Sequence, residues 1–221
     1  MKRGLFLLAT FTLSSALYAQ GALSREQAQE VFAAYNPALL EKAAQDEDLN
    51  QFVQEVITQY VAQNLPDSLE SRYTLIALAR NFENSFAVNA ALSQYKQALV
   101  YSQQGKDVKE AARTHAAQIL SAVYPRIWAV SVQVKEDLLT QYQKELKNPN
   151  VTAEQKQKLQ HAIKAVKADL KNLHTSPGPR LVALTQNTLE QVEAQAAGGF
   201  DVKTSSQKPM AGWRGKLYLT V

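Results

Sequence analysis

Between Ile119 and Val134 the chain offers almost no face that water would tolerate. Leu120, Val123, Tyr124, Ile127, Trp128, Val130, Val132 and Val134 lie in every direction of a helix, or on both sides of a strand. A helix apolar all round is normally enclosed by its neighbours, so the stretch from Asp107 to Leu146 is expected to form the central element. Pro125 either kinks it or starts a new helix there, because proline lacks the amide donor and clashes with the preceding turn. Beyond Pro125 the residues alternate as a strand would. Helix is the reading, since Asp137 to Leu146 continues at helical spacing and no second strand is near to pair with.

The flanking segments read as amphipathic helices. Ser24 with Gln27 makes a capping box, followed by Ala28, Val31, Phe32 and Tyr35 at helical spacing. Asn36 and Pro37 restart the chain as cap and first helical residue, with Leu39, Leu40 and Ala43 as a short stripe. The acidic cluster Asp46, Glu47 and Asp48 reads as cap and dipole partner of the next helix, whose stripe is Leu49, Phe52, Val53, Val56, Ile57, Tyr60 and Val61. Leu65 and Pro66 stop it. Asp67 with Glu70 predicts another capping box, opening a helix through Tyr73, Leu75, Ile76, Ala79 and Phe82 that breaks or bends around Asn81 to Ser85. A further helix from Phe86 to Val100 ends at Gly105, and Asp107 with Glu110 opens the central stretch.

After Asn148 and Pro149, Thr152 with Gln155 opens a helix in which Leu159, Ile163, Val166, Leu170 and Leu173 are spaced 4, 3, 4, 3, as in a coiled-coil seam. With the preceding helix it predicts a long helical hairpin over residues 126–173. Thr175 to Pro179 reads as non-helical loop. A last helix carries Leu181, Leu184, Thr188, Leu189 and Val192 and ends at Gly198 and Gly199. Trp213 to Val221 reads as a short extended tail that straps the bundle, adds a strand to a partner or stays mobile. The predicted fold is therefore all-α: an irregular bundle of about six to eight helices over residues 20–199, with a tail over 200–221.

The 221 residues, 46% hydrophobic, suffice for one domain with a core. Lys2 and Arg3, the apolar run Leu5 to Leu13, and small residues up to Ala16 and Ala19 have the layout of a secretory signal peptide over 1–19. Cleavage is placed after Ala19, with Ala16 as the second option. The apolar run is shorter than the ~20 residues a bilayer span needs. With no cysteine, disulfides, thiolate metal sites and cysteine nucleophiles are excluded, and an exported chain of this kind fits a bacterial periplasmic or secreted protein. Asn150 to Thr152 is formally a glycosylation sequon, but Thr152 reads as a helix cap.

Net charge is +4, falling to +2 if Lys2 and Arg3 leave with the signal. The segment from Gln20 to Gly105 carries 5 basic and 10 acidic residues, and that from Lys106 to Val221 carries 17 and 10. This asymmetry means either a basic binding face or two halves of one bundle attracting each other. Lys156, Lys164, Lys167 and Lys171 lie within about a quarter of a helix circumference. They are the candidate binding residues, together with Trp213 in the tail.

Nothing points to catalysis. His115, His161 and His174 have no carboxylate or second histidine at i+3 or i+4, which would place two ligands on one helical face. The phosphate loop, nucleophile elbow and His-Glu-x-x-His patterns are absent. No catalytic residue, metal or cofactor is assigned. Nucleic acid is not an expected partner, because the lysines lack interleaved aromatics.

Leu23-Ser24-Arg25-Glu26-Gln27 and Val151-Thr152-Ala153-Glu154-Gln155 resemble the repeated Leu-Thr-x-x-Gln motif of small periplasmic helical chaperones of the Spy and CpxP type. That resemblance implies helix starts in a thin, basic, cradle-like dimer that holds unfolded proteins. It covers ten residues in inexact copies, in a chain longer than that family. Tyr101 to Ala111 is similar to the turn of a tetratricopeptide repeat, with one residue too many and no second copy 34 residues away. Neither assigns a family. Two functions are carried forward. One is an exported binding or chaperone-like protein using the four lysines, with a protein partner and with membrane-surface contact left open. The other is a structural or assembly subunit acting through the Leu159 to Leu173 seam and the tail.

Overall fold

A computed structural model of the chain describes residues 21–103 and 108–197. The signal segment 1–19, the cap residues Gly105 and Asp107, residues 104–107 of the repeat-like turn, Gly198 and Gly199, and the tail with Trp213 lie outside the described residues. Within them are seven helices: α1 (Arg25–Tyr35), α2 (Pro37–Ala43), α3 (Glu47–Val61), α4 (Leu69–Gln103), α5 (Lys109–Leu146), α6 (Ala153–His174) and α7 (Pro177–Ala197). The stretch after Pro125 is helix. The fold is an all-α bundle.

Local chemistry sets most helix starts. At α1 and α6 the boxes close as read: Ser24 Oγ accepts from the Gln27 amide at 3.2 Å, and Thr152 Oγ1 from that of Gln155 at 3.2 Å. The Gln27 and Gln155 side chains accept in return from the Ser24 and Thr152 amides, both at 2.7 Å. Asn36 caps α2, accepting from Leu39 N, while its Nδ2 donates to the Ala79 carbonyl of α4 at 2.9 Å. Asp46 caps α3, with Glu47 and Asp48 in the first turn, where the helix dipole favours them.

The expected Asp67–Glu70 box at α4 does not form. Ser68 Oγ takes the Ser71 amide instead, and Asp67 is engaged by Arg72, whose Nε and Nη2 donate at 2.6 and 2.8 Å. A bidentate guanidinium outcompetes a single amide for a buried carboxylate. Gln27 also donates to Asp67, and the Asp67 amide reaches the Gly21 carbonyl at 2.8 Å, which pins the incoming chain beside residues 65–67.

Three further expectations are corrected. First, α4 runs unbroken through Asn81 to Ser85 for 35 residues, about 50 Å. Phe82 and Phe86, four residues apart, place both rings against Phe52 of α3, with centroids at 5.1 and 5.6 Å, and Phe82 also meets Phe32 edge-on. This packing holds the helix through its polar residues. Second, the stretch enclosed on all sides lies in α4, where Leu75, Ile76, Ala77, Leu78 and Ala79 are five consecutive buried residues. By contrast α5 has a solvent face through Ser121, Ala122, Pro125, Arg126 and Ala129. Pro125 sits on that face inside one continuous helix, where the carbonyl it leaves unbonded, that of Ser121, is on the exposed side. Third, Pro177, Gly178 and Pro179 form the first turn of α7 rather than loop. The first turn needs no amide donors, so two prolines cost it no hydrogen bonds. The reversal itself falls on Ser176, with φ of 49°.

The apolar interior forms two clusters sharing α4 and α5. One is built from α1, α2, α3, the first half of α4, the end of α5, and α6. The other is built from the second half of α4, the start of α5, and α7. Through the short connection 147–152, α6 folds back along α5, with Lys135 Nζ on Asp169 at 2.7 Å.

Candidate functional site

Lys156, Lys164, Lys167 and Lys171 are all exposed on α6, and none forms an ion pair among the described residues. The helix presents them on a different side from Leu159, Val166, Leu170 and Leu173, which are buried. The acidic residues of α6 fall away from the strip: Glu154 is bound by Lys158 at 2.7 Å and Asp169 by Lys135. At its C-terminal end His174 Nε2 lies 3.7 Å from Glu136. From Lys156 to Lys171 the strip extends about 22 Å along the helix axis.

The seam read as a coiled-coil edge is spent inside the chain. Val151, Leu159, Val166 and Leu170 belong to the first cluster, and Ile163 packs against it. A 4-3 spacing reports a narrow buried stripe, and here the partner is α5 of the same chain rather than a second molecule.

A second group of polar side chains converges where no local pattern of residues points to it. Tyr35 at the end of α1, Tyr73, Ile76 and Arg80 of α4, and Asp137, Thr140 and Gln141 of α5 line an open cleft of about 300 Å³. Arg80 Nη1 donates to Asp137 Oδ2 at 3.1 Å, and its guanidinium lies 5.2 Å from the Tyr35 ring centroid. Gln133 Nε2 holds the other carboxylate oxygen at 3.0 Å. Burial, reinforced by Tyr35 and Asp137 and opposed by Arg80, pushes the Tyr73 phenol up to about 12, so it stays a proton donor at neutral pH. Tyr35 and Tyr73 were legible only as core-stripe residues, and Arg80 and Asp137 stand 57 positions apart.

His115, His161 and His174 are exposed, and among the described residues no three histidine, aspartate or glutamate side chains converge as a metal site would require. No helix among the described residues is long and apolar enough to cross a membrane. No known family, curated protein or solved structure matches the chain.

Proposed function

We propose that this is an exported helical binding protein that holds acidic or unfolded protein segments against the basic face of α6, in the manner of a chaperone. The observation that carries the reading is the strip of four exposed lysines without ion pairs among the described residues, on a helix anchored by the buried stripe that flanks it. An uncompensated run of like charge raises the local concentration of anionic partners and speeds their encounter. Its length matches about seven residues of extended chain at ~3.3 Å each. Exposed lysines also give up little stability when replaced, so selection for folding alone does not call for them.

The test is binding of a fluorescent poly-glutamate peptide and of an unfolded acidic protein, followed by anisotropy. Binding is expected to weaken as salt rises, since the screening length shrinks from about 10 Å at 0.1 M to about 3 Å at 1 M. Changing all four lysines to glutamine should abolish most of it while leaving the thermal midpoint within about 2 °C. A quadruple variant that binds both probes as well as the parent would overturn the reading.

A further inference from the structure

The cleft between α1, α4 and α5 has a composition that narrows what it can hold. Its cation and anion neutralise each other: Arg80 and Asp137 are joined at 3.1 Å, so neither a free carboxylate nor an ammonium gains a net partner there. A purely apolar ligand is disfavoured too, because it would strip water from that pair and from Thr140 and Gln141 without replacing the hydrogen bonds.

Donors and acceptors are both left over. Arg80 spends one N–H on Asp137 and has others to offer, and the Tyr73 hydroxyl, near enough to Tyr35, Asp137 and Arg80 to feel their charge, forms no hydrogen bond with another described residue. Thr140 Oγ1 donates to the Glu136 carbonyl at 3.0 Å, which leaves its lone pairs free. Gln141 donates its amide to Glu145 at 3.2 Å, which leaves its own oxygen as an acceptor. Ile76 and the ring of Tyr73 supply the apolar part of the lining.

A neutral ligand that offers an apolar C–H face and several hydroxyls, each able to donate and accept, satisfies every part of this lining. We infer that the cleft is a binding site for a neutral, ring-sized polyhydroxylated molecule, a monosaccharide unit being the chemical class that fits. Its volume lies at the small end of ligand pockets, enough for one such ring and not for an extended chain. The site is independent of the lysine strip, and its occupation does not depend on the protein-binding reading.

The experiment is a titration of the full chain with D-glucose and with N-acetylglucosamine, read by amide NMR shifts, with acetate and methylammonium as charged probes. At least one sugar should give saturable shifts confined to the amides around Tyr73 to Arg80 and Asp137 to Gln141, and neither ion should. Tyr73→Phe keeps the ring and removes the donor, and should weaken sugar binding about fivefold, the worth of one neutral hydrogen bond. Thr140→Val, at an exposed position where folding is not at risk, should weaken it by a similar factor. Absence of saturable shifts with both sugars would overturn the inference. So would shifts produced by acetate or methylammonium at the same amides, or parental affinity in both variants.

Discussion

At one end of the α4–α5 pair, four further helices enclose 26 buried apolar residues; at the other, α7 alone covers 11 among the described residues. The smaller cluster compensates with polar cross-links. Tyr95 of α4 donates to Glu193 of α7 at 2.5 Å, Arg113 of α5 donates to the same carboxylate oxygen at 2.9 Å, and Tyr124 of α5 meets Thr188 of α7 at 2.9 Å. The larger end is cross-linked as well, by Arg72 with Asp67, Arg80 with Asp137, Lys135 with Asp169 and Tyr142 with Glu70, so what sets α7 apart is how few buried apolar residues stand behind its bonds. A helix with few apolar partners gains more of its fixed position from directional bonds than one enclosed on all sides.

The largest effect that would break this comparison is loss of a core leucine. Leu75 and Leu120 are both 0% exposed, one in each cluster. Replacing either by alanine should cost ~2–5 kcal/mol, with Leu75→Ala the more expensive, because α4 is held on every side there and cannot collapse into the cavity. Urea unfolding curves measure this directly. Equal costs, or a larger one at Leu120, would mean that the second end is packed as tightly as the first.

Next in size is the Glu193 junction. Glu193→Gln removes the charge shared by Tyr95 and Arg113 and should cost about 1–2 kcal/mol, the junction being part-exposed. Hydrogen exchange should show the loss in α7 and not in α1 to α3. The same group sets an acid response. The hydrogen bond from Tyr95, then Arg113, holds the Glu193 carboxyl below its ordinary 4.5, and the hydrogen bonds from Arg72 hold Asp67 below 3.8. A depressed carboxyl stabilises the fold above its unfolded value and loses that contribution as pH falls through the folded one. Protection of α7 should therefore decline as pH drops below 4.5, and Glu193→Gln should remove the α7 part of that dependence. An unchanged acid profile in the variant would show that the junction does not hold α7.

How much of this was legible in the sequence divides along the same line of local against distant causes. Ser24 with Gln27, Asn36 before Pro37, Asp46 and Thr152 with Gln155 each act within three residues, and each starts a helix as its pattern predicts. Asn81 to Ser85 looked like a break because the stripe is interrupted there. The continuity of α4 comes from Phe32 and Phe52, rings supplied by helices up to 50 residues away. Asp67 failed as a cap because Arg72 binds it, and a cap motif cannot report that competition. The lysine strip could be read from spacing alone, whereas the cleft assembles Tyr35, Arg80 and Asp137 from three helices and no single window contains it.

The smallest predicted effect concerns the place where the two clusters meet on α4. Asn81 is 0% exposed; its Oδ1 has a long 3.4 Å contact from Asn84 Nδ2, and its own Nδ2 has no hydrogen-bond partner among the described residues. A buried amide left unsatisfied is costly, and leucine, with the same branching, removes that cost and brings a better helix propensity, against the overpacking that its larger volume brings. Asn81→Leu should therefore leave stability unchanged or raise it by about 1 kcal/mol, which thermal or urea unfolding can resolve. Asn81 with Glu83 to Ser85 keeps the stripe of α4 from reading as one continuous apolar face, so the variant tests whether that polar character is needed to keep two clusters apart. A loss of more than 1 kcal/mol, or a loss of the cooperative transition, would show that the buried amide specifies the register of α4 on α5; a gain would show that apolar packing at both ends specifies it without help.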